Sequence, residues 1–102
     1  MQHINNKAEF EQLIKENNNV VIDFYATWCG PCKMLAPIIE QVANEVSHVK
    51  IVKVDVDESE DLAHKFGIMS IPTLILFVNG KMYEKHIGLW QKEDLLELLN
   101  SF

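Results

Sequence analysis

A chain of 102 residues makes one domain of ordinary size, long enough to build a core without staples, and with 48% hydrophobic and 24% charged residues it is neither disordered nor membrane-embedded. Nine Lys and Arg against fifteen Asp and Glu leave a net charge of −6, and no basic cluster interrupts the chain, which argues against nucleic acid as a partner and for simple solubility. Met1 to Lys7 lacks the apolar segment of a secretory signal, and no apolar run reaches the length of a membrane span. For a chain complete at its start this predicts a cytoplasmic protein with no membrane partner.

In chain order, Asn6 followed by Glu9, with Phe10, Leu13 and Ile14 behind, predicts a capped amphipathic helix ending in Asn17-Asn18-Asn19. Val20 to Ala26 is apolar except for Asp23 and predicts a strand buried on both faces. From Pro31, the positions Leu35, Ile38, Ile39, Val42 and Val46 follow helical spacing; Pro31 suits the first turn, and Pro37 inside the pattern predicts a kink. Val49 to Val56 predicts a second strand, parallel to the first because a helix connects them. Asp57 with Glu60 predicts the cap of a short helix carrying Leu62, Ala63 and Phe66 and stopped by Gly67. Ile71-Pro72-Thr73 then leads into the apolar strand Leu74 to Val78, Asn79-Gly80 marks a hairpin, and Met82 to Ile87 returns antiparallel to Gly88. Lys92 to Phe102 places Leu95, Leu98, Leu99 and Phe102 on one helical face. The fold class is α/β: a central mixed sheet between two helical layers, in the order αβαβαββα. No repeat, low-complexity tract or linker divides it, so residues 1–102 are read as a single domain.

The only two cysteines stand in Trp28-Cys29-Gly30-Pro31-Cys32, where the first strand gives way to the second helix. Residues three apart on a helix share a face with Cβ atoms about 5–6 Å apart, near enough for a disulfide. A helix starting here leaves unpaired N–H groups and partial positive charge beside Cys29, which favours thiolate over thiol. The pair reads as a reversible dithiol/disulfide site, with Cys29 at the helix mouth as nucleophile and Cys32, one turn inside and shielded, as the resolving thiol. Two plainer readings compete. A structural staple closing so short a loop restrains little; half a zinc site lacks a second cysteine pair, and His48, His64 and His86 are scattered.

Asp23 stands out, because a carboxylate in a buried strand is costly and tends to stay neutral. Either it bonds a neighbouring polar group, or it is the acid/base that takes the proton from Cys32, directly or through a water. Gly30 tolerates a tight turn and close approach of a substrate backbone, and Pro31 stiffens the helix start. Trp28 either packs on the sheet edge or faces a partner. Pro72 by itself simply ends a loop, and Lys53 points inward or outward depending on register, so that by spacing alone it is as readily an ordinary solvated strand residue.

Asp23-Phe24-Tyr25-Ala26-Thr27-Trp28-Cys29-Gly30-Pro31-Cys32-Lys33, followed by Pro37, Lys53-Val54-Asp55, Ile71-Pro72-Thr73, Asn79-Gly80 and Gly88, resembles the thioredoxin family over nearly the whole chain. The resemblance implies the thioredoxin fold, a cis peptide before Pro72, and general protein-disulfide reduction through Cys29 and Cys32. It implies electrons supplied from NADPH by a thioredoxin reductase, with no bound cofactor or metal beyond the redox-active disulfide. It supports the acid/base role of Asp23, suggests Lys53 as the charge that tunes it, and associates Gly30-Pro31 with reducing members; oxidases and isomerases of the same fold typically carry a histidine there. A cis Pro72 brings Ile71 beside Cys29 and exposes its backbone to an extended substrate segment. Trp28, Gly30, Pro31, Ile71, Pro72 and Gly88 then form a flat apolar rim for diverse proteins with reducible disulfides, and a rim kept free for partners predicts a monomer.

Two features depart from the family pattern. Tyr25 stands where many members carry tryptophan, a change expected to alter intrinsic fluorescence more than chemistry. Leu89-Trp90 follows Gly88 where smaller or polar residues are common, so Trp90 either widens the docking surface or packs under the last helix. Two other functions fit the same residues: a thiol oxidase or isomerase, and a redox-gated binding module that docks a partner in one state without turnover.

Overall fold

Asn6 starts the first helix as expected: in the computed structural model, which describes residues 1–102, its side-chain oxygen accepts the Glu9 N–H at 2.8 Å and helix α1 runs Lys7–Glu16. Phe10 and Leu13 are its buried positions. The apolar run behind it forms strand β1 (Asn19–Tyr25), whose residues from Val20 to Phe24 are all buried. Burial on both faces follows from position: β1 lies between parallel β2 (Lys50–Asp55) and antiparallel β3 (Thr73–Val78), and β4 (Lys81–Ile87) completes the sheet in the order β2-β1-β3-β4.

Successive side chains on β1 point to opposite faces and so divide the interior in two. Val20, Ile22 and Phe24 join Phe10, Leu13 and Leu62 in one core, under α1 and α3 (Glu60–Lys65). Val21 joins Leu35, Ile39, Val42, Leu95 and Leu99 in the other, under α2 (Gly30–Glu45) and α4 (Lys92–Leu99). Asp23 and Tyr25, in phase with Val21, therefore face the α2 side of the sheet. This is the three-layer mixed α/β fold expected from the sequence, in the expected order of elements.

Three details differ. Asp57 does not cap α3; Ser59 is at the N-cap, and its hydroxyl donates instead to the Asn5 carbonyl at 3.0 Å. The reason is local: Asp55 Oδ1 accepts the Asp57 N–H at 2.9 Å in a tight side-chain turn, which directs Asp57 elsewhere. Helix α4 stops at Leu99 rather than reaching Phe102, because Asn100 closes it with backbone bonds to the Leu96 and Leu98 carbonyls. Phe102 leaves the helical face and meets the Tyr83 ring edge-on, centroids 4.9 Å apart. The first residues are also structured beyond what the sequence suggested. Lys53 N–H donates to the Gln2 carbonyl and the Lys53 carbonyl accepts from Ile4 N–H, a short parallel bridge on the outer edge of β2.

Candidate active site

Central strand β1 and helix α2 meet at Cys29. Cys29 is the N-cap of α2, its Sγ accepting the Cys32 N–H at 3.2 Å, and Gly30 and Pro31 form the first turn. The two cysteines are joined as a disulfide with Cα atoms 5.2 Å apart. Whole-residue exposure does not separate them, contrary to the picture of one sulfur at the mouth and one shielded: Cys29 is 5% and Cys32 4% exposed. Their surroundings do. Cys29 Sγ lies 3.9 Å from the Ile71 carbonyl oxygen, a contact rather than a hydrogen bond because a disulfide sulfur has no proton to donate. Cys32 instead lines a recess of about 210 Å³ whose wall also holds Tyr25, Ala26, Lys33 and Lys53.

Behind that recess sits Asp23, paired across β1 and β2 with Lys53. Its carboxylate is 3.9 Å from the Lys53 ammonium through one oxygen, while the other oxygen is buried without a partner. Burial pushes the Asp23 carboxyl up to about 6 from 3.8, and the Lys53 charge only partly opposes this. Register thus settles the position of Lys53, which faces Asp23 rather than open solvent.

The cis bond lies between Ile71 and Pro72, as the resemblance implied. Pro72 is buried, and its carbonyl accepts the Gly88 N–H at 2.9 Å, which fixes Gly88, at φ 102°, next to the turn. Ile71 makes no backbone hydrogen bond of its own and is half-buried. Trp28 is 69% exposed and does not pack on the sheet; its indole N–H donates to Asp57 at 2.8 Å. A Cβ added at Gly30 would meet nothing within 4 Å, and its φ is not positive, so neither turn nor internal packing demands glycine; the open space lies toward solvent.

Sequence reasoning missed several neighbours. In sequence Asp57 reads as a helix cap, and only the fold reveals it as the partner of Trp28. Met34, two residues after Cys32, and Met69, two before Ile71, are exposed, as are Ile87 and Leu89 on either side of Gly88. Met34 carried a usable signal, being out of phase with the buried Leu35, Ile39 and Val42 of α2. Trp90 takes the second of the two expected courses: it packs against the α4 core beside Leu95, Leu98 and Leu99.

A cysteine pair that caps a helix and closes to a disulfide, beside a buried carboxyl and an unpaired backbone segment, is equipped in its dithiol form for exchange with another disulfide. Fold and site together define a thiol–disulfide oxidoreductase. The family model described as Thioredoxin matches residues 1–101. A thioredoxin of Mycoplasmoides gallisepticum is 52% identical over 99 residues, covering 97% of this chain and 99% of that protein. A thioredoxin of Bacillus subtilis is 50% identical over 83 residues, 80% of each chain. Among solved structures, oxidised mitochondrial thioredoxin 3 of Saccharomyces cerevisiae superposes with a TM-score of 0.92 at 39% identity, covering 100% of this chain and 95% of that one. The chain belongs to the thioredoxin family, and its activity is protein-disulfide reduction.

Proposed function

We propose that Cys29 attacks client disulfides and Cys32 resolves the mixed disulfide, with Asp23 managing the proton. The observation that carries the assignment is the Cys32 N–H aimed at Cys29 Sγ from the first turn of α2. In the reduced protein that donor and the helix N-terminus favour a Cys29 thiolate. The thiolate bonds one client sulfur and expels the other as a thiolate. Cys32 then loses its proton to the Asp23 carboxylate and attacks Cys29 Sγ, which releases the second client thiolate and leaves the Cys29–Cys32 disulfide. The client gains two electrons and the dithiol loses two.

Client docking follows from the same corner of the fold. Ile71, with its backbone unpaired, offers free N–H and carbonyl groups just before β3 to a client segment, with Trp28, Gly30, Pro31, Pro72 and Gly88 completing the rim. Backbone pairing is tolerant of sequence, which suits a reductant of diverse proteins. Return of the disulfide to the dithiol is assigned to an NADPH-dependent thioredoxin reductase docking on the same rim. With the rim occupied in every step, the working unit is a monomer needing no bound cofactor, and the bacterial relatives favour the cytoplasm.

The test is trapping. With Cys32→Ser, a disulfide-bearing client should accumulate as a covalent adduct on Cys29, whereas Cys29→Ser should trap little. Equal trapping by both variants would overturn the assignment of roles.

A further inference from the structure

We propose that Tyr25 is a positioning residue for the exchange reaction: its ring face holds the Lys53 ammonium against Asp23, so that aromatic ring, ammonium and carboxylate act as one unit behind Cys32. The inference rests on the acid/base role of Asp23 and adds the element that fixes its counter-charge. Lys53 Nζ lies 4.4 Å from the Tyr25 ring centroid and 3.9 Å from the Asp23 carboxylate, so the ammonium is held between a π face and an anion. Tyr25 and Asp23 are two residues apart on β1 and point to the same face, while Lys53 is the β2 partner of Asp23.

The arrangement is braced from outside. The Lys53 backbone is clamped by Gln2 and Ile4, and the His3 ring meets the Tyr25 ring edge-on with centroids 5.8 Å apart. The ammonium is 15% exposed at its side chain and lines the recess that also holds Cys32, whereas Asp23 is not in its wall. Lys53 therefore stands between the carboxyl and solvent, and where the ammonium rests decides how strongly Asp23 feels it.

The charged and titratable groups around the ring are Lys53 and Asp55 from β2, Asp23 from β1, Glu58 from the loop after β2, Lys33 from α2 across the recess, and the His3 imidazole from the N-terminal bridge. Burial, then Asp55, Glu58 and Asp23, push the Tyr25 hydroxyl above its ordinary value, so the ring stays neutral and the attraction to Lys53 is cation–π rather than ionic. A phenylalanine would preserve it; an aliphatic side chain would not.

The experiment follows the Asp23 carboxyl by NMR titration of the oxidised protein, in which neither cysteine titrates. Lys53→Met should raise the Asp23 midpoint by about 1 unit or more, the usual effect of losing an opposite charge at this distance. Tyr25→Leu should reproduce at least about half of that rise, Tyr25→Phe should leave the midpoint in place, and Tyr25→Leu should add little in the Lys53→Met background. An unmoved midpoint in Tyr25→Leu, or an equal rise without Lys53, would overturn the proposal. A measurement on the unmutated protein guards against variants that fail to fold: the Lys53 ε-methylene protons, held over the ring, should resonate upfield of those of the exposed lysines, and ordinary lysine shifts would overturn it too. These readouts do not depend on exchange rates, so they stand apart from the failure of Asp23 as a base, which Asp23→Asn kinetics would reveal.

Discussion

Asp23 shows how the burial of one carboxyl makes stability depend on pH. Its folded-state value of about 6 lies above 3.8, so the folded protein holds the proton more tightly than the unfolded chain does. Between those two values stability falls as pH rises, and above about 6 the whole penalty is present, on the order of 3 kcal/mol for a group 1% exposed. Asp23→Asn should therefore gain little at about pH 3.5 and up to about 3 kcal/mol at about pH 7.5, as read by urea unfolding at both. The same variant should slow thiol exchange near neutral pH; unchanged rates across the pH range would remove Asp23 from the mechanism. This residue was legible in the sequence because an ionisable group in the middle of an apolar strand costs too much to be there without a chemical or polar partner. Asp57 was not, since a carboxylate after a strand suits a helix cap equally well and only its tertiary neighbour, Trp28, distinguishes the two.

At the scale of elements, caps and turns carried most of the information. Asn6 before α1 marks a boundary through its side-chain hydrogen bond, and Gly67 after α3 and Asn79-Gly80 between β3 and β4 mark theirs through left-handed backbone that local sterics reserve for such residues. Asn79 and Gly80 have φ of 51° and 81°, the left-handed pair that a two-residue hairpin requires. At Gly80 a Cβ would also stand 3.0 Å from Ile14 Cγ2, so the hairpin tip is seated on α1. Gly80→Ala should cost about 1 to 3 kcal/mol in urea unfolding, with a slope near that of the unmutated protein. No loss would mean that the tip shifts freely away from α1. The bridge of Gln2 and Ile4 to Lys53 had no such local mark, because three unremarkable residues become a strand only when an open sheet edge lies beside them.

For the molecule as a whole, the two cores on either side of β1 make a rigid platform, and the site is assembled where β1, α2 and the Ile71–Pro72 turn converge. The layer architecture was readable from alternating periodicities, the cysteine pair from its spacing and the exposure of Met34 from its phase on α2; that of Met69, in a loop with no periodicity, required the fold. Direction of electron flow is a property of this whole assembly. Equilibration in defined thiol/disulfide buffers should give a reduction potential below that of the glutathione couple, every 30 mV or so being a tenfold bias toward donating electrons. A value at or above that couple would favour the oxidase or isomerase reading.

The bridge at Lys53 has one more effect, on how copies of the molecule behave in a crowd. A sheet of four strands has two edges at which a foreign strand can be added, and such growth ends in aggregates. One edge is partly sealed by the chain's own beginning at Gln2 to Ile4, and the other, β4, is studded with Lys81, Glu84, Lys85 and His86, whose charges and polar groups resist being stripped of water. On both flanks a foreign strand would therefore have to displace the chain's own bridge or strip charged side chains of water before it could pair.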